Sequence, residues 1–221
     1  MTSDTALLPE IVDHLPEMLA LRHRIHAHPE LAYEEFATSD LVTEKLQAWG
    51  YVIHRGLGGT GVVATLTKGT GRKAIGVRAD MDALPIHETT GLPYASTIGG
   101  KMHACGHDGH TATLLAAARH LAHHGNFNGT VHLIFQPAEE GQAGARKMIK
   151  DGLFEKFPCD AVFAYHNMPS FPVGKFGFLE GNFMASSDTV IVKVKGRGGH
   201  GSAPHMSVDA VVVASYIVIA L

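Results

Sequence analysis

The sequence predicts an α/β fold, a mostly parallel sheet with helices on both faces. Three observations carry that expectation. Apolar runs of strand length alternate with stretches of helical periodicity along most of the chain. The later runs, residues 130–135 and 160–165, are apolar strands of the kind a doubly covered sheet buries. The residues able to do chemistry leave the C-terminal ends of these runs, where open α/β sheets keep their sites.

Taken in order, residues 7–27 carry Leu7, Ile11, Leu15, Met18, Leu19, Leu21 and Ile25 at close to helical spacing. Pro9 suits a first turn, and Pro16 should bend or split the helix. The helix should stop at the residue before Pro29, its basic residues and histidines, Arg22 to His28 among them, suiting the negative end of the dipole. A second helix is expected from Thr38 or Ser39, either able to cap it, to Trp49, with Gly50 as the stop. Residues 51–54, 61–67 and 73–79 read as strands and as successive members of the sheet, and the third delivers Asp80 and Asp82 at its tip. A Gly- and Pro-containing loop over 88–101 leads to Met102-His103-Ala104-Cys105-Gly106-His107-Asp108-Gly109-His110, and a helix over 111–124 follows. Its His120, His123 and His124 read as structural, with Gly125 as the stop.

The strand at 130–135 runs into Gln136-Pro137-Ala138-Glu139-Glu140-Gly141. A short helix over 143–150 closes at Gly152, and the strand at 160–165 ends in His166. Beyond residue 175 the character changes. Val190, Val192 and Val194 alternate with polar partners as in a half-buried strand, which leads into Gly198-Gly199-His200-Gly201-Ser202. Residues 208–221 form a strongly apolar helix with no stop signal, so the sequence reads as cut off.

Composition narrows the function classes. A chain of 221 residues with 45% hydrophobic and 18% charged residues can build a sizeable core. A net charge of -3 without blocks of one sign gives no footprint for nucleic acid and no polybasic membrane patch, so small molecules are the expected partners. No apolar run is long enough for a membrane span, and Asp4, Glu10 and Asp13 interrupt any export signal. Two cysteines, one in a ligand-like motif, argue against a disulfide framework and for a reducing cytoplasm.

The stretch from Met102 to His110 places a thiol, three histidines and a carboxylate within nine residues. Such a set offers sulfur, imidazole and carboxylate donors to one cation. The alternative is a polar loop whose Cys105 is a buried small hydrophobe and whose histidines cap the next helix. The convergence of Asp80 and Asp82, Glu139 and Glu140, and His166 on the same sheet edge favours the metal site. Adjacent glutamates suit a division of labour in metal-assisted hydrolysis, one holding metal and the other moving protons. His200, among glycines, suits either oxyanion stabilisation or an exposed turn. Cys105 as a nucleophile is a rival that its Cys-x-His setting disfavours.

Four motifs then carry a family resemblance: Ala79-Asp80-Met81-Asp82-Ala83-Leu84-Pro85-Ile86, Met102 through His110, Phe135-Gln136-Pro137-Ala138-Glu139-Glu140, and Gly198-Gly199-His200-Gly201-Ser202-Ala203-Pro204-His205. Together they resemble the M20 metallopeptidases, in the amidohydrolase branch of hippurate hydrolases, N-acyl-amino-acid amidohydrolases and auxin-conjugate hydrolases. The resemblance implies two divalent metal ions (Zn, Mn, Ni or Co), with Cys105, His107, Glu140 and His166 as ligands. It also implies Glu139 as general base, Asp82 as the aspartate that orients a ligand histidine, and His200 as a lid histidine reaching the partner's site in a homodimer. The substrate would be a small N-acyl amino acid.

The catalytic domain would span residues 1–181 and the start of an α+β lid 182–221, with the last metal ligand beyond this chain. The 221 residues would then be an N-terminal portion, weak or inactive alone. A di- or aminopeptidase and a non-catalytic metal-binding or dimerisation fragment are the rival functions.

Overall fold

The computed structural model describes residues 8–186 and 188–221. Contacts divide the chain into two units, Met1–Ser170 and Phe171–Leu221. Leu7, the first residue of the expected helical stripe, lies outside the described residues.

The first unit begins with two helices, α1 Pro9–Val12 and α2 Leu15–Ala27, where the sequence suggested one bent or split element. Pro9 sits at the start of α1 and Pro16 in the first turn of α2, positions where the missing N–H costs no intrahelical bond. α3 spans Phe36–Ala48, so it starts ahead of Thr38 and Ser39, the expected caps. The reason is Glu30, whose carboxylate accepts from the backbone of Ala37 (2.9 Å) and Thr38 (2.8 Å). A side chain several residues upstream thus does the capping, and Thr38 and Ser39 are buried inside the helix.

The strands are β1 Val52–Leu57, β2 Gly61–Lys68, β3 Ala74–Asp80, β4 Gly129–Gln136 and β5 Ala161–Ala164. Between β3 and β4 lies α4 His107–His123, and α5 Gly144–Lys150 and α6 Leu153–Lys156 precede β5. They build a mixed sheet in the order β1-β2-β4-β3-β5. β2 and β3, expected as neighbours, are separated by β4, which pairs antiparallel with β2 and parallel with β3. The hairpin side of the sheet is antiparallel, and β4, β3 and β5 are parallel. That parallel portion carries the site.

Helices cover both faces, as the α/β expectation requires. Alternation along the strands divides the core: Val62, Ala64, Val131, Leu133 and Phe135 pack with α2, α3 and α4, while Val63 and Ile134 pack with Met148 of α5 and Leu153 of α6. Tyr51 ties the larger core together, its hydroxyl donating to the Ala118 carbonyl at 2.8 Å. Among the described residues, no helix is long and apolar enough to cross a membrane.

In the second unit, residues 189–195 form no strand. Their alternating valines need a partner to complete a ladder, and among the described residues only the isolated bridge between Arg197 and Val208 forms nearby. The final helix is α7 Ala210–Ala220, whose first turn is capped by Asp209 accepting from Val211 at 2.8 Å, a cap the apolar pattern had hidden.

Candidate metal centre and catalytic loop

β3 ends at Asp80, and the chain turns so that Asp82 points into the sheet's C-terminal edge, both carboxylates being fully buried. α4 starts at His107, earlier than the periodicity indicated, so His107, Asp108 and His110 occupy its first turn. Gly106 precedes it with φ +92°, and a Cβ there would stand 2.5 Å from Oδ1 of Asn167. Only glycine lets the loop place Cys105 and His107 on either side of that crossing.

The imidazoles are aimed by their hydrogen bonds. Nδ1 of His107 lies 3.2 Å from Oδ1 of Asp82, a carboxylate that can only accept, so this nitrogen carries a proton and Nε2 is the ring atom left to face a cation. Nδ1 of His166 likewise lies 2.7 Å from the Asn167 carbonyl, which leaves its Nε2 free, 3.4 Å from Sγ of Cys105. Oδ2 of Asp82 also accepts from the backbone of Glu140 at 2.9 Å, so one aspartate orients both a histidine and the glutamate loop. Burial would raise the Asp82 pKa, but the bonds from His107 and from the Glu140 and Glu139 backbones lower it below its ordinary value.

Two buried atoms at the centre have no hydrogen-bond partner, Nε2 of His107 and Oε1 of Glu140, and they lie 3.9 Å apart. Glu139 Oε2 is 4.0 Å from the same nitrogen. Single donor atoms of Cys105, His107 and His166 fall within 4.8 Å of one another, as do those of His107, Glu139 and Glu140. The unsatisfied buried imidazole and carboxylate atoms of His107 and Glu140, with the half-buried Cys105 thiol and the exposed His166 imidazole beside them, form a donor set of the kind that fits divalent cations. The structure therefore brings together Cys105, His107, Glu139, Glu140, His166 and Asp82. His200 belongs to the second unit, where it is exposed and its Nδ1 meets Oγ of Ser202 at 2.8 Å.

Asp80, His107 and His110 form a third close group, but its His110 is already engaged. Nδ1 lies 2.6 Å from Oδ1 of Asp80, and Nε2 accepts from the Asn167 backbone at 3.0 Å, so both ring nitrogens are used. Burial would raise the Asp80 carboxyl, yet the hydrogen bond from His110, the Arg78 guanidinium 2.7 Å from Oδ2 of Asp80, and His107 nearby hold it at about 2. This pair braces the floor of the site. The Cys105 thiol moves the other way, pushed up to about 12 by burial and then by the carboxylates of Glu140, Asp80 and Glu139.

Arg22 and His26, read from the sequence as partners of the α2 dipole, have a further role. Arg22 Nε donates to Asp108 Oδ2 at 3.0 Å, and His26 Nδ1 lies 2.9 Å from the same oxygen, so α2 grips the start of α4 from behind. Burial pulls His103, also behind the loop, down to about 4 and keeps it neutral. Asp80 and His110 stand in the sequence among the converging acids and in the ligand-rich stretch but without a role of their own, and Arg22 and His26 read there only as helix-end residues. The Asp-x-Asp spacing at the strand tip was a signal for Asp80, whereas Arg22 and His26 act on a partner more than eighty positions away.

A mixed sheet flanked by helices, whose C-terminal edge gathers imidazole, thiol and carboxylate donors, defines an α/β domain with a candidate metal centre. The profile of peptidase family M20/M25/M40 matches residues 76–220, and the chain belongs to that family. It is 54% identical to a hippurate hydrolase of Campylobacter jejuni over 97% of this chain and 56% of that protein. It is 43% identical to an N-acetyl-L-cysteine deacetylase of Bacillus subtilis over 93% of this chain and 49% of the relative. The YXEP protein of Bacillus subtilis, a dinuclear metal binding peptidase of the M20 family, superposes with a TM-score of 0.72 at 40% identity, covering 77% of this chain and 47% of its own. The chain thus spans about half the length of the curated relatives it matches.

Proposed function

We propose that the protein to which this chain belongs hydrolyses the amide bond of N-acyl amino acids, with hippurate as the reference substrate. The observation that carries the reading is the pairing of unsatisfied, converging donors with a neighbouring carboxylate that stays accessible. Glu140 turns Oε1 into the buried cluster, while the Glu139 side chain, 43% exposed, faces the open side. The acyl-amino-acid class comes from the hippurate hydrolase and the N-acetyl-L-cysteine deacetylase that the chain resembles.

Cys105, His107, Glu140 and His166 would hold two divalent metal ions, Zn, Mn, Ni or Co, which when bound supply Lewis acidity that acidifies water toward neutrality and polarises the amide carbonyl. Glu139 takes the proton of the attacking water and hands it to the departing amine nitrogen. Asp82 keeps His107 in the tautomer that presents Nε2 and holds the Glu140 backbone in place. His200, carried by a lid that begins near residue 182 after a catalytic portion over 1–181, donates to the oxyanion of the tetrahedral intermediate in a partner subunit's site. Two free cysteines suit a reducing, cytoplasmic setting.

The test compares hippurate with unblocked dipeptides as substrates of the metal-loaded whole protein. Faster turnover of hippurate is expected. Activity confined to substrates with a free α-amine would replace this reading with a peptidase.

A further inference from the structure

Glu35 lies far from the metal ligands in sequence, yet it is one of the most completely buried carboxylates of the chain, at 0% exposure. It occupies the N-cap position of α3 but makes no side-chain cap bond there. Glu30 performs that task through Ala37 and Thr38. Released from capping, the Glu35 carboxylate turns to the segments that carry Thr60 and Ala138. Its Oε1 accepts from the backbone of Ala138 at 2.8 Å, and its Oε2 accepts from the Thr60 hydroxyl at 2.5 Å. No Lys, Arg or His forms an ion pair with it among the described residues, and hydrogen bonds alone offset its burial.

The residue it grips is an unusual one. Ala138 has φ +52°, a left-handed backbone that a residue with a Cβ adopts reluctantly, and it immediately precedes the Glu139-Glu140 pair. The turn is closed from within by Gly144, whose N–H donates to the Ala138 carbonyl at 3.0 Å. A Cβ at Gly144 would come within 1.8 Å of the Pro137 carbonyl oxygen. Downstream, Asp82 holds the Glu140 N–H at 2.9 Å. Glu139 is therefore suspended between two buried carboxylates, one on the backbone before it and one on the backbone after it.

We propose that Glu35 is a positioning residue for the hydrolytic reaction: by accepting the Ala138 N–H it fixes the left-handed turn that aims the Glu139 carboxylate. The inference rests on the proposed role of Glu139. Burial raises the Glu35 pKa, and the bonds from the Thr60 hydroxyl and from the backbones of Glu35, Ala138 and Tyr33 oppose that rise, so the group functions as a hydrogen-bond acceptor with no partner charge. What matters on this account is the reach and the acceptor atom. Displacement of a catalytic group by about an ångström can cost on the order of a hundredfold in rate.

The experiment compares Glu35→Gln with Glu35→Asp in the metal-loaded whole protein. Gln keeps the reach and gives its one oxygen to Ala138 while the rotatable Thr60 hydroxyl turns to accept from its NH2, so only the charge is lost; Asp keeps the charge and loses the reach. For Glu35→Asp, kcat on hippurate should fall about 10–100-fold with KM within about threefold and metal content unchanged. Glu35→Gln should retain kcat within about fivefold. Amide hydrogen exchange at Ala138 supplies a readout independent of turnover: at least about tenfold faster in Glu35→Asp, near wild type in Glu35→Gln. Should the wild-type protein leave hippurate intact, the proposed function fails, while exchange at Ala138 still decides whether Glu35 holds the turn. A folded Glu35→Asp with unchanged kcat and unchanged exchange would overturn the inference. So would a Glu35→Gln as impaired as Glu35→Asp, and this outcome remains decisive through its comparison with wild type if the Asp variant does not fold.

Discussion

Asp82→Asn is the substitution that most directly probes how the chain builds its metal centre. The two carboxylate oxygens serve two donors, Nδ1 of His107 at 3.2 Å and the Glu140 backbone at 2.9 Å, and an amide has only one oxygen to offer. If that oxygen faces Glu140, the amide NH2 faces His107 Nδ1, which must then accept. The ring proton moves to Nε2, the atom required to offer a lone pair. If the oxygen faces His107, two N–H groups confront each other at the Glu140 backbone. Either orientation disables one arm of the site. Loss of such an orienting partner lowers metal affinity about 10–100-fold. Loss of one buried hydrogen bond to a charged group should lower the stability of the metal-free protein by about 2 kcal/mol. Competition with a chromophoric chelator for zinc, together with urea denaturation, measures both. Zinc affinity within about twofold of wild type in a folded Asp82→Asn protein would refute the reasoning.

Other consequences follow from the same geometry. With its thiol pushed up to about 12, Cys105 is protonated in the metal-free protein at pH 7, so zinc binding should release a proton that an indicator dye detects, and Cys105→Ala should reduce the release. Burial depresses the pKa of His132, whose Nδ1 lies 2.8 Å from the Thr65 hydroxyl. The unfolded chain therefore binds that proton first, and the associated stability should decline as pH falls below about 6.5 until the folded histidine protonates as well. Denaturation midpoints of wild type and His132→Gln between pH 8 and pH 5 should show a shallower acid decline in the variant; identical slopes would assign the loss to other groups.

The α/β class and the family were legible because both are written locally. Apolar runs give the strands, and the motifs around Asp82, Cys105, Glu139 and His200 are contiguous in sequence; the match over residues 76–220 bears out the family resemblance. The convergence of Cys105, His107, Glu140 and His166 was also readable, because strand tips and a helix start share one edge of a parallel sheet. What sequence reasoning missed depends on pairings between distant segments. The insertion of β4 between β2 and β3 is a choice of neighbour that periodicity does not encode. The start of α3 moved because Glu30 reaches forward to cap it. The strand expected at residues 189–195 had the right alternation but no ladder partner among the described residues. Glu35 reads as one acid among several in Tyr33-Glu34-Glu35-Phe36 until Ala138, 103 positions later, is brought to it.

The central claim is that a carboxylate beside, and separate from, the metal-holding donors moves the proton in amide hydrolysis. Its most direct test is turnover of hippurate by Glu139→Gln in the whole protein, with bound metal determined on the same sample. Full metal content with kcat reduced about 100-fold or more is predicted. Turnover close to wild type with the metal still bound would contradict the account.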